Sequence, residues 1–197
     1  MTLHSNEVGL QTARTLIEGG SKVTIEQPTV RVVPVREEDI PALIRLAREI
    51  WFEHYPAIIT IEQIEYMLGQ RYTPQIIAEQ LDSERAWWDK LLVDGNFVAF
   101  TSYELGKTLD TMKLDKLYVH ARMRGRGYGS LLIRHVESKA LERGCTRLEL
   151  QVNKHNRGAI EMYQRYGFTI ARAAVFDIGG GFVMDDYVLS KGVRDRG

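Results

Sequence analysis

The sequence is poor in the features that mark several large classes of protein. Its 197 residues contain one cysteine, Cys145, so no intramolecular disulfide can form, and no Cys/His spacing typical of a metal site is present. We therefore expect no metal, and we expect Cys145 to be a small buried residue at the start of a strand. No stretch approaches 18 continuous apolar residues, which argues against a membrane-spanning helix.

An excess of charge of either sign is also missing. Lysine and arginine together number 26, and aspartate and glutamate together number 26, so the net charge is zero. Proteins that bind nucleic acid or membrane surfaces usually carry a basic excess, so we expect neither partner. The first 20 residues lack the apolar core of a secretory signal, and we expect a cytoplasmic location.

The length suits one substantial domain, which we place at residues 29–192, followed by a tail at 193–197. Residues 1–28 precede it as an extension. Helical spacing predicts one short helix there, before Gly19-Gly20, formed by Leu10, Ala13, Leu16 and Ile17.

Hydrophobic periodicity within the domain predicts the element order β-α-α-β-β-β-α-β-α-β-β. Pro34, near the end of the strand Thr29–Val35, predicts that this strand lies at an edge. Asp94-Gly95 predicts a hairpin turn. Gly69 and Pro74 are expected to break the helical stretch that precedes the hairpin.

The most informative stretch is "RMRGRGYGS", Arg122–Ser130, which lies between a predicted strand, Lys113–Val119, and a predicted helix, Ser130–Gly144. The first amides of a helix have no partner within the helix and favour an anion. Glycines let a phosphate approach the backbone, and arginines match phosphate oxygens. The stretch therefore predicts a site for a phosphorylated ligand, most simply a pyrophosphate.

Two other interpretations of the glycines stay open at this point. One is a tight turn with solvated arginines. The other is the dinucleotide pattern G-x-G-x-x-G, in which Ser130 replaces the third glycine and Glu149 lies where a ribose-binding acid is expected. The antiparallel hairpin signals before the loop disfavour the dinucleotide fold.

The motif R-x-x-G-x-G at Arg124–Gly129 resembles the pyrophosphate-binding motif of the GNAT superfamily of acetyl-CoA-dependent N-acetyltransferases. The segments Leu148–Phe168 and "MDDYVLSK", Met184–Lys191, resemble the blocks that follow it in that family. The resemblance implies an α/β (α+β) protein of the GNAT fold. Its mixed central sheet has about six to seven strands, splays at two neighbouring strands and carries helices on both faces.

The resemblance also implies that acetyl-CoA lies in the gap between the strands Lys113–Val119 and Thr146–Val152. The first strand contacts the acetyl and pantetheine groups through its main chain, and the glycine loop surrounds the pyrophosphate. Asn156 reaches the pantetheine arm and is also a good helix N-cap. The implied cofactor-binding residues are Leu117, Tyr118, Val119, Arg124, Gly125, Arg126, Gly127, Tyr128, Gly129, Ser130 and Asn156.

Tyr163 matches the family's usual general acid, and a phenol of pKa near 10 suits proton donation to a leaving thiolate. The general base is less apparent, because Lys113 stands where many members carry a glutamate. Asp115 and Glu104 are the candidates, with an ordered water as the alternative.

The expected activity is transfer of acetyl from acetyl-CoA to a primary amine, small or peptidic, by direct attack in a ternary complex. A non-catalytic acyl-CoA sensor of the same fold and a nicotinamide-dependent oxidoreductase are the alternatives. By the same resemblance, the acceptor binds between Trp51–Met67 and the loop Phe176–Phe182. The pair Trp87-Trp88 indicates packing, with a homodimer contact left open.

Overall fold

The computed structural model describes residues 14–18, 21–25, 27–108 and 110–194. Its strands are β1 (Arg14–Glu18), β2 (Ser21–Ile25), β3 (Val30–Pro34), β4 (Ala86–Val93), β5 (Asn96–Leu105), β6 (Thr111–Val119), β7 (Arg147–Asn153), β8 (Thr169–Gly179) and β9 (Phe182–Gly192). Its α-helices are α1 (Ile40–His54), α2 (Ile61–Arg71), α3 (Pro74–Leu81), α4 (Tyr128–Glu142) and α5 (Arg157–Arg165).

Seven strands form one mixed sheet in the order β3-β4-β5-β6-β7-β9-β8. β6 and β7 are parallel neighbours joined through α4, and the other neighbours are antiparallel. β3 lies at an edge, as Pro34 predicts, and Asp94 and Gly95 form the predicted hairpin turn with φ of 49° and 79°. With a single parallel pair, the sheet does not have the alternation of a dinucleotide-binding fold.

The predicted helix in the N-terminal extension is wrong where the structure describes it. Residues Arg14–Glu18, which include Leu16 and Ile17, form a strand that pairs antiparallel with β2. Leu10 and Ala13 lie outside the described residues. The pairing runs from Arg14 with Ile25 to Glu18 with Ser21, and pairing with a second strand outweighs a few apolar residues at helical spacing.

The prediction that Gly69 breaks a helix is also wrong. α2 continues through Gly69 to Arg71 because Ile64, Met67 and Leu68 are buried, which outweighs the cost of about 1 kcal/mol for a glycine inside a helix. Pro74 instead begins α3, whose N-cap Thr73 accepts a hydrogen bond from the Ile76 amide at 3.2 Å. Three helices therefore lie between β3 and β4, where the sequence predicted two.

Helices cover both faces of the sheet, as expected. α1, α2 and α3 pack against one face around Leu43, Ile64, Ile77 and Phe100, each fully buried. α4 and α5 pack against the other face. The most buried residues there are Leu91, Ala99, Leu132, Met112, Ile133, Val136, Ala140, Leu148 and Leu150. Ala99 and Phe100 are consecutive in β5 and point to opposite faces, as residues of a strand do.

Cys145 and the tryptophan pair lie where their residue types suggested. Cys145 is 1% exposed beside β7, and burial raises the pKa of its thiol. Trp88 is buried, whereas Trp87 stacks on Tyr103 and lies 3.8 Å below the Arg143 guanidinium. The alternation of the strand thus places the two rings on opposite faces of the sheet, where Trp87 is partly buried. A homodimer contact there stays a prediction.

β6 and β7 separate before either strand ends. Their parallel pairing runs from Thr111 with Arg147 to Leu114 with Leu150. In the pairing of β5 with β6, Ser102 is opposite Lys116 and Tyr103 is opposite Leu114, so Asp115 is the extra residue of a bulge. Beyond the bulge, β6 stays paired with β5 and β7 stays paired with β9, which opens the predicted gap.

The helices of the described residues include none with the length and hydropathy needed to span a bilayer.

The central position of Phe100 gives a test of the core. Phe100→Ala removes a fully buried ring, so we expect a loss of about 3–5 kcal/mol in the free energy of unfolding. Val175→Ala is the matched control, since Val175 is 63% exposed and its truncation should change stability by less than about 0.5 kcal/mol. Urea unfolding followed by circular dichroism measures both, and equal losses would contradict this description of the core.

Candidate active site

The gap between β6 and β7 opens into a cavity of about 1020 Å³. α1, α2, β6, the loop before α4, β7, α5 and the hairpin of β8 and β9 all contribute to its wall. The wall includes these predicted site residues: Asp115, Leu117, Tyr118, Val119, Arg124, Gly125, Gly127, Tyr128, Gly129, Ser130, Asn156 and Tyr163. Arg126 and Glu104 lie outside it.

The glycine loop presents unpaired backbone donors to this cavity. Gly125 and Gly127 have φ of 75° and 83°, a left-handed conformation that favours glycine, and Gly127 is the N-cap of α4. α4 begins at Tyr128, two residues before the predicted start. Within the described part of the chain, none of the amides from Gly125 to Ser130 donates a hydrogen bond to protein. These donors at a helix N-terminus suit an anion.

Basic side chains lie around the same loop. Arg124 donates from Nε to the Val119 carbonyl at 3.2 Å, which holds its guanidinium at the cavity wall. Arg157 and Arg165 of α5 also line the cavity, although the sequence analysis did not single them out. Ser130 contacts the Tyr166 hydroxyl, so the start of α4 is tied to α5.

The end of β6 that lines the cavity offers backbone hydrogen-bonding groups to an extended ligand. Leu117, Tyr118 and Val119 pair with β5 on one side, and past Leu114 their other side faces the gap. Alternate residues of a strand direct their N–H and C=O groups to opposite neighbours. β6 therefore has free backbone groups along the gap, as an edge strand does.

Tyr163 of α5 is buried at 8% exposure and lines the cavity one turn after Ala159. Burial raises the pKa of its phenol above the ordinary value, and nearby Tyr55 adds to the rise. The phenol therefore stays protonated at neutral pH. Among the described residues, none forms a hydrogen bond with its hydroxyl, so this proton is available to a ligand in the cavity.

Asn156 combines a structural contact with a place in the cavity wall. It is 8% exposed, and its Oδ1 accepts from the Ala159 amide at 3.4 Å, which confirms the predicted N-cap of α5. His54, at the end of α1, also lines the cavity and is within reach of the Asn156 side chain. Burial, followed by the charge of Arg124, lowers the pKa of His54, so its imidazole is neutral at pH 7.

The two carboxylates proposed as a base are both ion-paired. Asp115 lies 2.9 Å from Lys113 and also contacts Lys116. Burial alone would raise the pKa of Asp115, but Lys116 and Lys113 outweigh burial and hold it well below the ordinary value. Glu104 accepts from Lys113 at 3.0 Å. Lys113 thus bridges both candidates, and only Asp115 reaches the cavity.

A third carboxylate, Asp186 of β9, was missed by the sequence analysis. It lies opposite Asn153 in the sheet, lines the cavity and is 5% exposed. Its Oδ1 is buried without a hydrogen-bond partner among the described residues. Burial raises its pKa to about 6, partly opposed by Arg71. The alternation of β9, with Val188 buried two residues later, was the signal that could have identified it.

The wall opposite the glycine loop is made by α1, α2 and the β8–β9 hairpin. Tyr66 donates to the Ile178 carbonyl at 3.0 Å, and Gln63 donates to the Val183 carbonyl at 2.8 Å. The Tyr55 and Tyr118 hydroxyls lie 3.2 Å apart below this wall. Its apolar lining consists of Ile50, Trp51, Ile58, Met67, Phe176, Ile178 and Met184. The two segments expected to surround an acceptor therefore meet at one end of the cavity.

Among the described residues, no group of three or more His, Cys, Asp or Glu side chains is arranged to hold a metal ion.

Known proteins share both sequence and fold with this chain. The model of the Acetyltransferase (GNAT) family matches residues 41–168. An uncharacterized N-acetyltransferase in the pepI 3'region of Lactobacillus delbrueckii subsp. lactis is 23% identical over 168 residues, which is 82% of this chain and 96% of that protein. The spermidine N(1)-acetyltransferase of Thermoplasma acidophilum is 24% identical over 152 residues, covering 75% and 91% of the two chains.

A solved structure gives the same likeness in three dimensions. The PaiA N-acetyltransferase from Thermoplasma acidophilum, in complex with coenzyme A, superposes with a TM-score of 0.70 at 20% identity. The match covers 83% of this chain and 98% of that one. At this identity the likeness establishes the fold, which is the GNAT fold expected from the sequence.

The glycine turn of the β8–β9 hairpin can be tested separately from any ligand. A Cβ on Gly180 would lie 2.7 Å from Cε2 of Tyr66, and Gly180 has a φ of +63°. Gly180→Ala should therefore lower stability by more than the roughly 1–2 kcal/mol of a left-handed alanine. Gly181→Ala is the control, because φ is +80° there and nothing lies within 4 Å of the new Cβ. Similar melting temperatures for the two variants would contradict the contact with Tyr66.

Proposed function

The chain belongs to the GNAT family of acetyltransferases, whose model spans residues 41–168, and from this premise we propose that it transfers acetyl from acetyl-CoA to a primary amine. The attack is direct, within a ternary complex of enzyme, acetyl-CoA and amine. One observation carries the proposal: the free loop amides, the open edge of β6 and the protonated Tyr163 phenol all line a single cavity.

The residues of the cavity fit coenzyme A in the order of its chemical groups. The amides from Gly125 to Ser130, with Arg124 beside them, suit the pyrophosphate. The free backbone groups of Leu117–Val119 suit the two amides of the pantetheine arm. The Asn156 side chain lies at the same wall. The coenzyme A bound to the related PaiA N-acetyltransferase supports this assignment.

The proposed chemistry needs one proton donor and one proton acceptor. The amine nitrogen bonds to the acetyl carbon, the carbon–sulfur bond breaks, and the thiolate sulfur takes the proton of Tyr163. The raised pKa of Tyr163 keeps this proton on the phenol until the thiolate forms. Buried surroundings strengthen such a hydrogen bond, since water does not compete for it.

The carboxylates Asp115 and Glu104 are weaker candidates for the proton acceptor. Lys113 and Lys116 neutralise Asp115 and keep it ionised, so its affinity for a proton at neutral pH is low. Glu104 is paired with Lys113 away from the cavity. These contacts support a role in fixing the bulge of β6. They also favour the alternative of an acyl-CoA sensor, unless another group takes the proton.

Cofactor binding is tested by calorimetric titration with acetyl-CoA, with NAD as a control ligand. We expect Arg124→Ala to weaken binding about 10-fold, as for loss of a charged hydrogen-bond donor. Arg126→Ala, outside the cavity wall, should weaken it less, and Arg45→Ala on the exposed side of α1 should leave it unchanged. Absence of acetyl-CoA binding in the wild type would overturn the proposed function.

Turnover separates the enzyme from the sensor. Tyr163→Phe should lower kcat about 100-fold, since general acid catalysis contributes roughly that factor or more, while acetyl-CoA affinity stays the same. Tyr187→Phe outside the cavity wall is the control. Thiol release is followed with an aromatic disulfide reagent against a panel of amines. A protein that binds acetyl-CoA but releases thiol no faster with any amine is a sensor.

A further inference from the structure

We propose that Asp186 and Arg71 form the acceptor subsite, and that the acceptor is an amine which also carries an anionic group, such as a carboxylate. Asp186 binds the ammonium and takes its proton, and Arg71 binds the anion. This inference rests on the proposed acetyl transfer and names its substrate class.

Asp186 is a cavity carboxylate that is free to bind an incoming cation. It is 5% exposed and lines the cavity, and within the described residues neither oxygen accepts a hydrogen bond or joins an ion pair. A buried carboxylate without a partner is costly, and buried polar groups in folded proteins are nearly always paired. Asp115, in contrast, already has two lysine partners. An ammonium in the cavity would satisfy Asp186.

Arg71 is the cation at the same end of the cavity. It ends α2, is exposed, lines the cavity, and joins no ion pair in the described part of the chain. Its charge acts on Asp186, yet no ion pair joins the two side chains. The other arginines of the wall, Arg124, Arg157 and Arg165, come from the glycine loop and α5. Arg71 is therefore the arginine of the wall that is available to bind the anionic group of the acceptor.

The cavity wall also carries the apolar side chains of Met67, Phe176, Ile178 and Met184, which suit an apolar body between the amine and the anion. A polyamine would bring a second cation close to Arg71, where like charges repel. The subsite thus favours a different acceptor class from the one named for the related spermidine N(1)-acetyltransferase.

In the proposed reaction, Asp186 and Tyr163 each transfer one of the protons. Two protons leave the ammonium nitrogen as it becomes an amide. The first goes to Asp186 and then to solvent, which frees the lone pair that attacks the acetyl carbon. The phenol proton of Tyr163 goes to the departing sulfur, and the second nitrogen proton restores the phenol.

The groups that face Asp186 set the pH at which it can act. They are Arg71 from α2, Tyr55 from the end of α1, Lys154 after β7, and Asp185 beside it on β9. Burial, the largest influence, raises the pKa of Asp186 to about 6. Asp186 is protonated below that pH and cannot take a proton, so kcat/KM should rise as the pH increases through about 6.

The test uses the full chain with acetyl-CoA and matched pairs of acceptors. Leucine is compared with leucinamide, and 6-aminohexanoate with hexylamine, so that each pair differs in the anion. Spermidine is the polycationic comparison. We expect the anionic member of at least one pair to exceed its neutral partner and spermidine at least 10-fold in kcat/KM.

Variants assign the effect to the two side chains. Arg71→Ala should raise KM for the anionic acceptor about 10- to 100-fold and leave the neutral partner unchanged. Asp186→Asn should lower kcat about 100-fold and remove the acidic limb of the pH profile. Arg45→Ala and Glu149→Gln are the matched controls, because neither side chain lines the cavity or acts on Asp186.

Each outcome decides between the two proposals. Preference for the neutral amines or spermidine overturns the inference, as does a full rate in Asp186→Asn. Acetyl-CoA binding without transfer to any of these acceptors also overturns it, because it commits to anionic amines. Failure to bind acetyl-CoA at all overturns the proposed function itself.

Discussion

The early end of the pairing between β6 and β7 is the constraint on which the rest of the site depends. Two parallel strands that separate after Leu114 and Leu150 leave backbone donors and acceptors facing open space. Such an edge inside a sheet is unfavourable unless a ligand completes it. The bulge at Asp115 makes the separation possible, and Lys113 and Lys116 neutralise the carboxylate that the bulge buries. Sheet geometry and cofactor recognition are therefore one feature.

The two ends of the cavity differ in charge. The glycine loop and α5 form an end with unpaired amides and arginines, which suits phosphates. At the opposite end, Tyr66 and Gln63 of α2 donate hydrogen bonds to the β8–β9 hairpin, and Asp186 and Arg71 lie in a wall that also carries apolar side chains. Tyr163 lies buried in the wall that they share. A carboxylate that is kept from water and a phenol that is kept protonated can then act in the same reaction.

Local signals in the sequence predicted the parts of the site that are local in the chain. The glycine loop and the N-cap Asn156 follow from spacing within a few residues, and Tyr163 was identified by the resemblance to the GNAT family. Asp186 and Arg71 were not predicted, because they come together only when β9 and α2 meet at the cavity. The ion pairs of Asp115 and Glu104 with Lys113 depend on the register of β5 and β6, which a sequence pattern does not specify. The continuation of α2 through Gly69 depended likewise on burial against neighbouring elements.

The bulge at Asp115 also has an evolutionary consequence. One extra residue reverses which face of the sheet each later residue of β6 meets, so that Tyr118 packs with α1 and Leu117 packs towards α4. Deleting any one residue between Leu114 and Val119 would exchange inside and outside for the rest of the strand. Single substitutions there can be accepted one at a time, whereas an insertion or deletion would need a compensating change of length at the same time. Among descendants of this chain, the length of that segment should vary less than its composition.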